Sequence, residues 1–143
     1  MLNNRIRVRI DFDFKGKTHS PAADLDLDNL MQQHGDIPSL HELVAAACSI
    51  SPYSYEYDVL LSEALIFEEA SGFTAEFIRD GWFDAEAFAE RWHKEFKVAE
   101  ITRIAAQHLG VESLDRQPAL KAALLESWEE GRRAGRREQL REQ

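Results

Sequence analysis

Arg5 to Phe14 reads RIRVRIDFDF, and this stretch decides the fold. Ile6, Val8, Ile10, Phe12 and Phe14 fall on one side of an extended chain, with Arg5, Arg7, Arg9, Asp11 and Asp13 on the other. Strict alternation over this length matches the two-residue period of a strand, whereas a helix would scatter the same residues round its axis. Lys15-Gly-Lys-Thr18 reads as a turn, after which the chain returns through His19 to Asp28. Pairing Phe14 with His19 sets Val8 against Leu25 and Ile6 against Leu27. It also sets Arg9, Arg7 and Arg5 against Asp24, Asp26 and Asp28. One register thereby satisfies the apolar and the charged face together. Pro21 cannot donate to a ladder and marks an edge or a bulge. The three arginines are read as partners of the aspartates rather than as a phosphate-binding stripe.

Beyond the hairpin, Asp28 to His34 has the makings of a short helix ended by Gly35. Ser39 and Glu42 have the spacing of a capping box and open the helix LHELVAAACSI. Its core positions are Leu40, Leu43, Val44, Ala47 and Cys48, which predicts a buried, inert Cys48. Between Pro52 and Gly72, Tyr53, Tyr55, Tyr57, Val59 and Leu61 alternate with Ser54, Glu56, Asp58 and Leu60. Aromatic and β-branched content favours a strand over Ser54–Leu61 and a shorter one over Ala64–Glu68. Tyr57, Leu60, Leu61, Ala64 and Leu65 also fit one face of a helix, so residues 52–70 admit both readings.

The C-terminal half reads as helical. Thr74 to Asp80 forms a short helix stopped at Gly81. Asp84 caps a long one, with Phe83 and Phe88 in hydrophobic-staple positions. Phe88, Trp92, Phe96, Ala99, Ile101, Ile104 and Ala105 mark its buried stripe, and Gly110 its end. Pro118 suits the first turn of a last helix carrying Leu120, Leu124 and Trp128. The fold class is α+β. An antiparallel sheet starts with the N-terminal hairpin and is covered by a buried helix and two long C-terminal helices. Residues 1–130 form a single domain, and 131–143 are an arginine-rich projecting or frayed end.

Composition limits function. The chain has 143 residues, 44% of them hydrophobic and 30% charged, which excludes collagen-like, mucin-like and wholly disordered classes. Folding of a chain this size buries about two-thirds of its surface, enough for a core without disulfides or metal. No apolar run approaches the ~18 residues of a membrane span, and the first residues lack the apolar region of a signal peptide. A single cysteine excludes an internal disulfide and a cysteine-based zinc site. A soluble, cytoplasmic protein is expected.

The net charge of −9 is unevenly spread. No Lys or Arg occurs in the 61 residues from Thr18 through Ile78, which hold eleven acids. Arg132, Arg133, Arg136, Arg137 and Arg141 crowd the other end. An acidic body repels phosphate backbones, so direct nucleic-acid binding by the body is not expected.

Chemical motifs are sparse. Glu90-Arg-Trp-His93 has the spacing found in carboxylate-bridged di-iron bundles, but no second copy exists and a solvated polar face accounts for it. Asp11 and Asp13, beside Asp24, Asp26 and Asp28, suggest a small metal-dependent hydrolase as the alternative function. No phosphate loop, dinucleotide fingerprint or nucleophile elbow occurs, so neither catalysis nor a cofactor is expected. The leading expectation is a non-catalytic protein-binding module whose acidic surface meets a basic protein partner. Its candidate residues are Glu56, Asp58, Glu63 and Glu68, with Trp82 as an aromatic anchor in the turn between two helices. A pointed form is a nucleic-acid-mimicking inhibitor of a nucleic-acid-binding protein. Homo-oligomerisation through the C-terminal helices is compatible with either function.

Overall fold

The alternating stretch forms two strands rather than one. β1 covers Arg5–Arg9 and β2 covers Phe12–Phe14 in the computed structural model, which describes residues 2–142. β3 (Lys17–His19) and β4 (Ala22–Asp26) return beside them. Ile10 and Pro21 interrupt both ladders, joined by a 3.0 Å hydrogen bond from the Ile10 N–H to the Pro21 carbonyl. This is the irregularity that Pro21 demands.

The register departs from the expected one by two residues. Phe12 faces His19, Val8 faces Ala23, Arg7 faces Asp24 and Arg5 faces Asp26. The turn is only Lys15-Gly16, with φ of 53° and 75°, the positive pair that a two-residue type I′ hairpin requires. A four-residue turn shifts every pair by two residues. A two-residue offset keeps each side chain on its face, so only the partners change.

α1 (Leu27–His34) follows directly and ends at Gly35, whose φ of 72° closes it. α2 (Leu40–Ala47) is capped by Ser39 and α3 (Tyr55–Ser62) by Ser54. β5 (Ile66–Ser71) then joins the first sheet in the order β4-β1-β5, antiparallel throughout. β1, central in that sheet, presents Ile6 and Val8 to the core. α1 and α2 pack against β1, α2 also reaches β4, and α3 packs on β2.

Three local expectations are corrected. Ser54–Leu61 is helical: the Ser54 hydroxyl accepts from the Tyr57 N–H, and the fully buried Leu60 sets the inward face. A strand would set Tyr55 on one face with Tyr57 and Val59, yet Tyr55 is 81% exposed. A cap and one packed face thus outweigh β-propensity. Thr74–Asp80 is a 3₁₀ turn (Thr74–Phe77) leading into β6 (Ile78–Arg79), which pairs with β7 (Trp82–Phe83). Asp80-Gly81, both at positive φ, make a second two-residue hairpin, so Trp82 lies in a strand rather than between helices. Cys48 is exposed, because α2 ends at Ala47 and Ser49 turns away at a φ of 58°.

α4 (Ala85–Leu109) opens as the sequence anticipates. The Asp84 carboxylate accepts from the Ala87 N–H, and Phe83 meets Phe88 at 5.6 Å between ring centroids. Phe88, fully buried, also contacts Phe73 and Phe77.

The chain divides into two compact units, Leu2–Trp92 and the segment from His93 onward. In the second, the later turns of α4 pack with α5 (Pro118–Glu142) around Ile101, Ala105 and Leu114. Phe96 meets Trp128 edge-on, and a 2.6 Å ion pair joins Lys97 to Glu129. Residues 130–141 of α5 are all exposed.

Asn4, 0% exposed, ties the first unit together. Its backbone N–H and side-chain amide donate to the Asp28 carboxylate at 2.8 and 3.0 Å, and its carbonyl accepts from Leu27. Its Oδ1 accepts from the Phe73 N–H and the Thr74 hydroxyl. The Trp92 indole donates to the same Asp28 at 2.8 Å. Gly72, at a φ of 67°, is needed where the turn passes this amide: a Cβ there would collide with Asn4 Oδ1.

Asn4→Ala leaves buried donors and acceptors without partners and is expected to cost about 3 kcal/mol, on the order of 10 °C in Tm. A thermal melt unchanged within a degree or two would show that this network holds nothing. The register is tested by a charge-reversal cycle. Adding Asp24→Arg to Arg7→Asp is expected to recover part of the loss, with a coupling of roughly 0.2–1 kcal/mol. Recovery by Asp26→Arg instead would restore the displaced register.

Candidate functional site

The structure sorts the acids by whether a base answers them. On the charged face of the sheet, Arg5 reaches Asp26 at 3.7 Å and Arg7 reaches Asp24 at 3.1 Å. Between Arg7↔Glu69 and Val8↔Phe67 the β1–β5 ladder slips, leaving Glu68 as the extra residue of a bulge. Its carboxylate lies 3.1 Å from Arg9 and 3.7 Å from Arg7. Glu68 is therefore part of an alternating charge ladder across three strands.

Asp11 and Asp13 are engaged as well. Arg9 grips Asp11 through two hydrogen bonds of 2.9 and 3.2 Å. That bond, helped by Ser20, holds the Asp11 carboxyl below its ordinary value. Asp13 accepts from the Thr18 hydroxyl at 2.7 Å. In the ladder Asp13 stands opposite Thr18 itself. Asp28, which the expected register pairs with Arg5, serves Asn4 and Trp92. Among the described residues no group of three His, Cys, Asp or Glu side chains converges as metal ligands do.

The helical layer differs. Glu56 and Asp58 lie on α3 and Glu63 caps its C-terminus. Two residues on a helix are about 200° apart, so Glu56 and Asp58 diverge where a strand would have aligned them. Glu56 is half-buried and borders a cleft of about 450 Å³ between the β2–β3 hairpin and the α2–α3 loop, lined also by His19, Pro21, Cys48 and Ser51. The Cys48 thiol in that cleft donates to the Ala22 carbonyl at 3.4 Å. Asp58 is exposed and, with Glu42 of α2, flanks the half-buried Tyr57. Burial first, then the Glu42 and Asp58 carboxylates, pushes the Tyr57 phenol above its ordinary 10.0. His41 Nε2 donates to the Glu63 carbonyl at 2.7 Å and locks α2 to the end of α3.

No Lys or Arg among the described residues forms an ion pair with Glu42, Glu56, Asp58 or Glu63. Tyr53, Tyr55 and Leu61 stand exposed on the same α2–α3 layer. Trp82, 66% exposed, belongs to a different element, the β6–β7 hairpin. Glu42 belongs to the base-free acidic stretch, but the capping-box pattern gives it a structural task and keeps it out of the candidate residues. Its signal was present only as an acid four residues before Ala46 on an otherwise base-free helix.

Family models, curated proteins and solved structures were compared with this chain, and none matches it. No helix among the described residues is long and apolar enough to cross a membrane.

The environment of Tyr57 is open to direct titration. The Tyr57 phenolate, isolated by ultraviolet difference against Tyr57→Phe, is expected to form above pH 10.0, and Glu42→Gln is expected to move it down. A midpoint at or below 10.0, or no response to Glu42→Gln, would place these carboxylates elsewhere.

Proposed function

We propose that this chain is a non-catalytic protein-binding module whose α2–α3 face engages a basic protein partner. The observation that carries the reading is the contrast between the two charged layers. On the sheet Asp24, Asp26 and Glu68 are answered by Arg5, Arg7 and Arg9, while Glu42 and Asp58, which flank Tyr57, have no such partner among the described residues, in a layer that also exposes Tyr53 and Tyr55. Unpaired carboxylates steer a basic surface inward, and tyrosines supply contact area at low entropic cost. Each helix has eight residues, about 12 Å of length, a footprint for one helix or loop of a protein rather than an extended mimic of a nucleic-acid backbone. The Asp11–Asp13 hydrolase reading gains nothing from this arrangement, since Asp11 is held by Arg9.

The test uses a fluorescent oligoarginine peptide and fluorescence anisotropy on the full chain. Glu42→Gln with Asp58→Asn is expected to weaken binding roughly fivefold, the worth of two solvent-exposed charge pairs. Glu86→Gln with Glu90→Gln removes the same charge from exposed positions on α4 and is expected to change little. Equal weakening by both pairs, with both folds intact, would reduce the face to bulk charge and overturn the reading.

A further inference from the structure

The last turns of α5 carry a face of the opposite sign. Arg132, Arg136 and Leu140 form one row at four-residue spacing, and Arg133, Arg137 and Arg141 form the adjacent row. Six side chains therefore share one side of the helix over about 12 Å. All six are exposed, Leu140 by 71%. Arg133 pairs with Glu130 at 2.7 Å, whereas Arg132, Arg136, Arg137 and Arg141 form no ion pair among the described residues. Nothing stands within 4 Å of where a Cβ would lie on Gly131 or Gly135. A helical segment without tertiary packing and with two glycines is marginal in water. Contact with a partner would order it.

We infer that this arginine face docks on the α2–α3 face of a second copy of this chain. The inference rests on the function proposed above and names the partner. Complementary charge supports it: five arginines in the last turns of α5, and a base-free layer whose Glu42 and Asp58 flank Tyr57 and form no ion pair among the described residues. The two are of matching length, since α3 also spans about 12 Å. Leu140 favours protein over nucleic acid as the occupant. A phosphate backbone has no use for a leucine amid guanidiniums, while exposed Leu61 and Tyr55 offer it apolar surface. The acidic body adds repulsion against any polyanion. Each copy contributes a different face, so the contact is heterologous and runs head to tail.

Sedimentation velocity on the full chain tests this over a concentration series. Salt is set at about 0.01 M, where the screening length is about 30 Å, and at about 1 M, where it is about 3 Å. Mass is expected to rise above 16.4 kDa with concentration at low salt and to return to it at high salt. Arg132→Glu with Arg136→Glu, and separately Glu42→Gln with Asp58→Asn, are each expected to be monomeric alone. Mixed in equal amounts they are expected to reach about twice the monomer mass and stop, because each keeps one working face. Circular dichroism verifies both folds, and Arg132→Ala with Arg136→Ala repeats the arm in a variant that preserves helix propensity.

Three results would overturn the inference: a wild-type chain monomeric at low salt, association that survives the arginine variants, or no association in the mixture. A chain that stays monomeric yet binds oligoarginine through Glu42 and Asp58 would remove the second copy as partner and leave the proposed function standing. A monomer that instead binds RNA through Arg132 and Arg136 would assign the arginine face to nucleic acid. Loss of both oligoarginine binding and self-association would remove both proposals.

Discussion

The first unit depends on one buried amide. Asn4 lies just before β1, Asp28 in the first turn of α1, Gly72–Thr74 after β5 and Trp92 on α4, and hydrogen bonds through Asn4 and Asp28 join all of them. Apolar packing alone would let the helices slide on the sheet, because hydrophobic contact has no direction. A polar network buried at this depth is costly unless every member is satisfied, so it selects one arrangement. That arrangement sets where the first sheet begins and where α1 and α4 approach it.

With the frame so held, the chain handles its negative charge in two ways. The sheet's outer face interleaves both signs, and each contact there is exposed and individually weak. The α2–α3 layer receives no positive charge from its own sequence, which supplies none between Thr18 and Ile78. Five further bases, all arginines, crowd the end of α5. Segregation of this kind does nothing for the stability of a fold, since like charges gathered on one surface repel. On the proposed reading it is complementarity reserved for another molecule, with Tyr55 and Leu61 on one charged face and Leu140 on the other as exposed apolar contact.

Much of the frame was legible in the sequence. The α+β class, the N-terminal antiparallel hairpin, the Ser39 and Asp84 caps, the Phe83–Phe88 staple and the two long C-terminal helices follow from periodicity and cap chemistry. The errors share one source: turn geometry and tertiary partners that periodicity does not encode. Lys15-Gly16 makes a shorter turn than the polar run suggests, which displaced the register by two residues. Asp80-Gly81 carries a hairpin signature that the surrounding helical pattern concealed. In residues 52–62, alternation and helix face were both present, and the Ser54 cap with the burial of Leu60 decided between them. The candidate face was legible only as composition. Which acids lack partners depends on the bulge that carries Glu68 to Arg9 and on the packing that brings Glu42 beside Tyr57, both products of contacts distant in sequence.

The central claim is that the α2–α3 layer is a recognition surface and the sheet's charge ladder is not. Amide chemical shifts of isotope-labelled full-length chain, followed while oligoarginine is added, read both layers at once. The account predicts saturable shifts confined to residues 39–63, with those of β1, β4 and β5 unmoved. Shifts centred on the sheet, or spread in proportion to every exposed carboxylate, would contradict it.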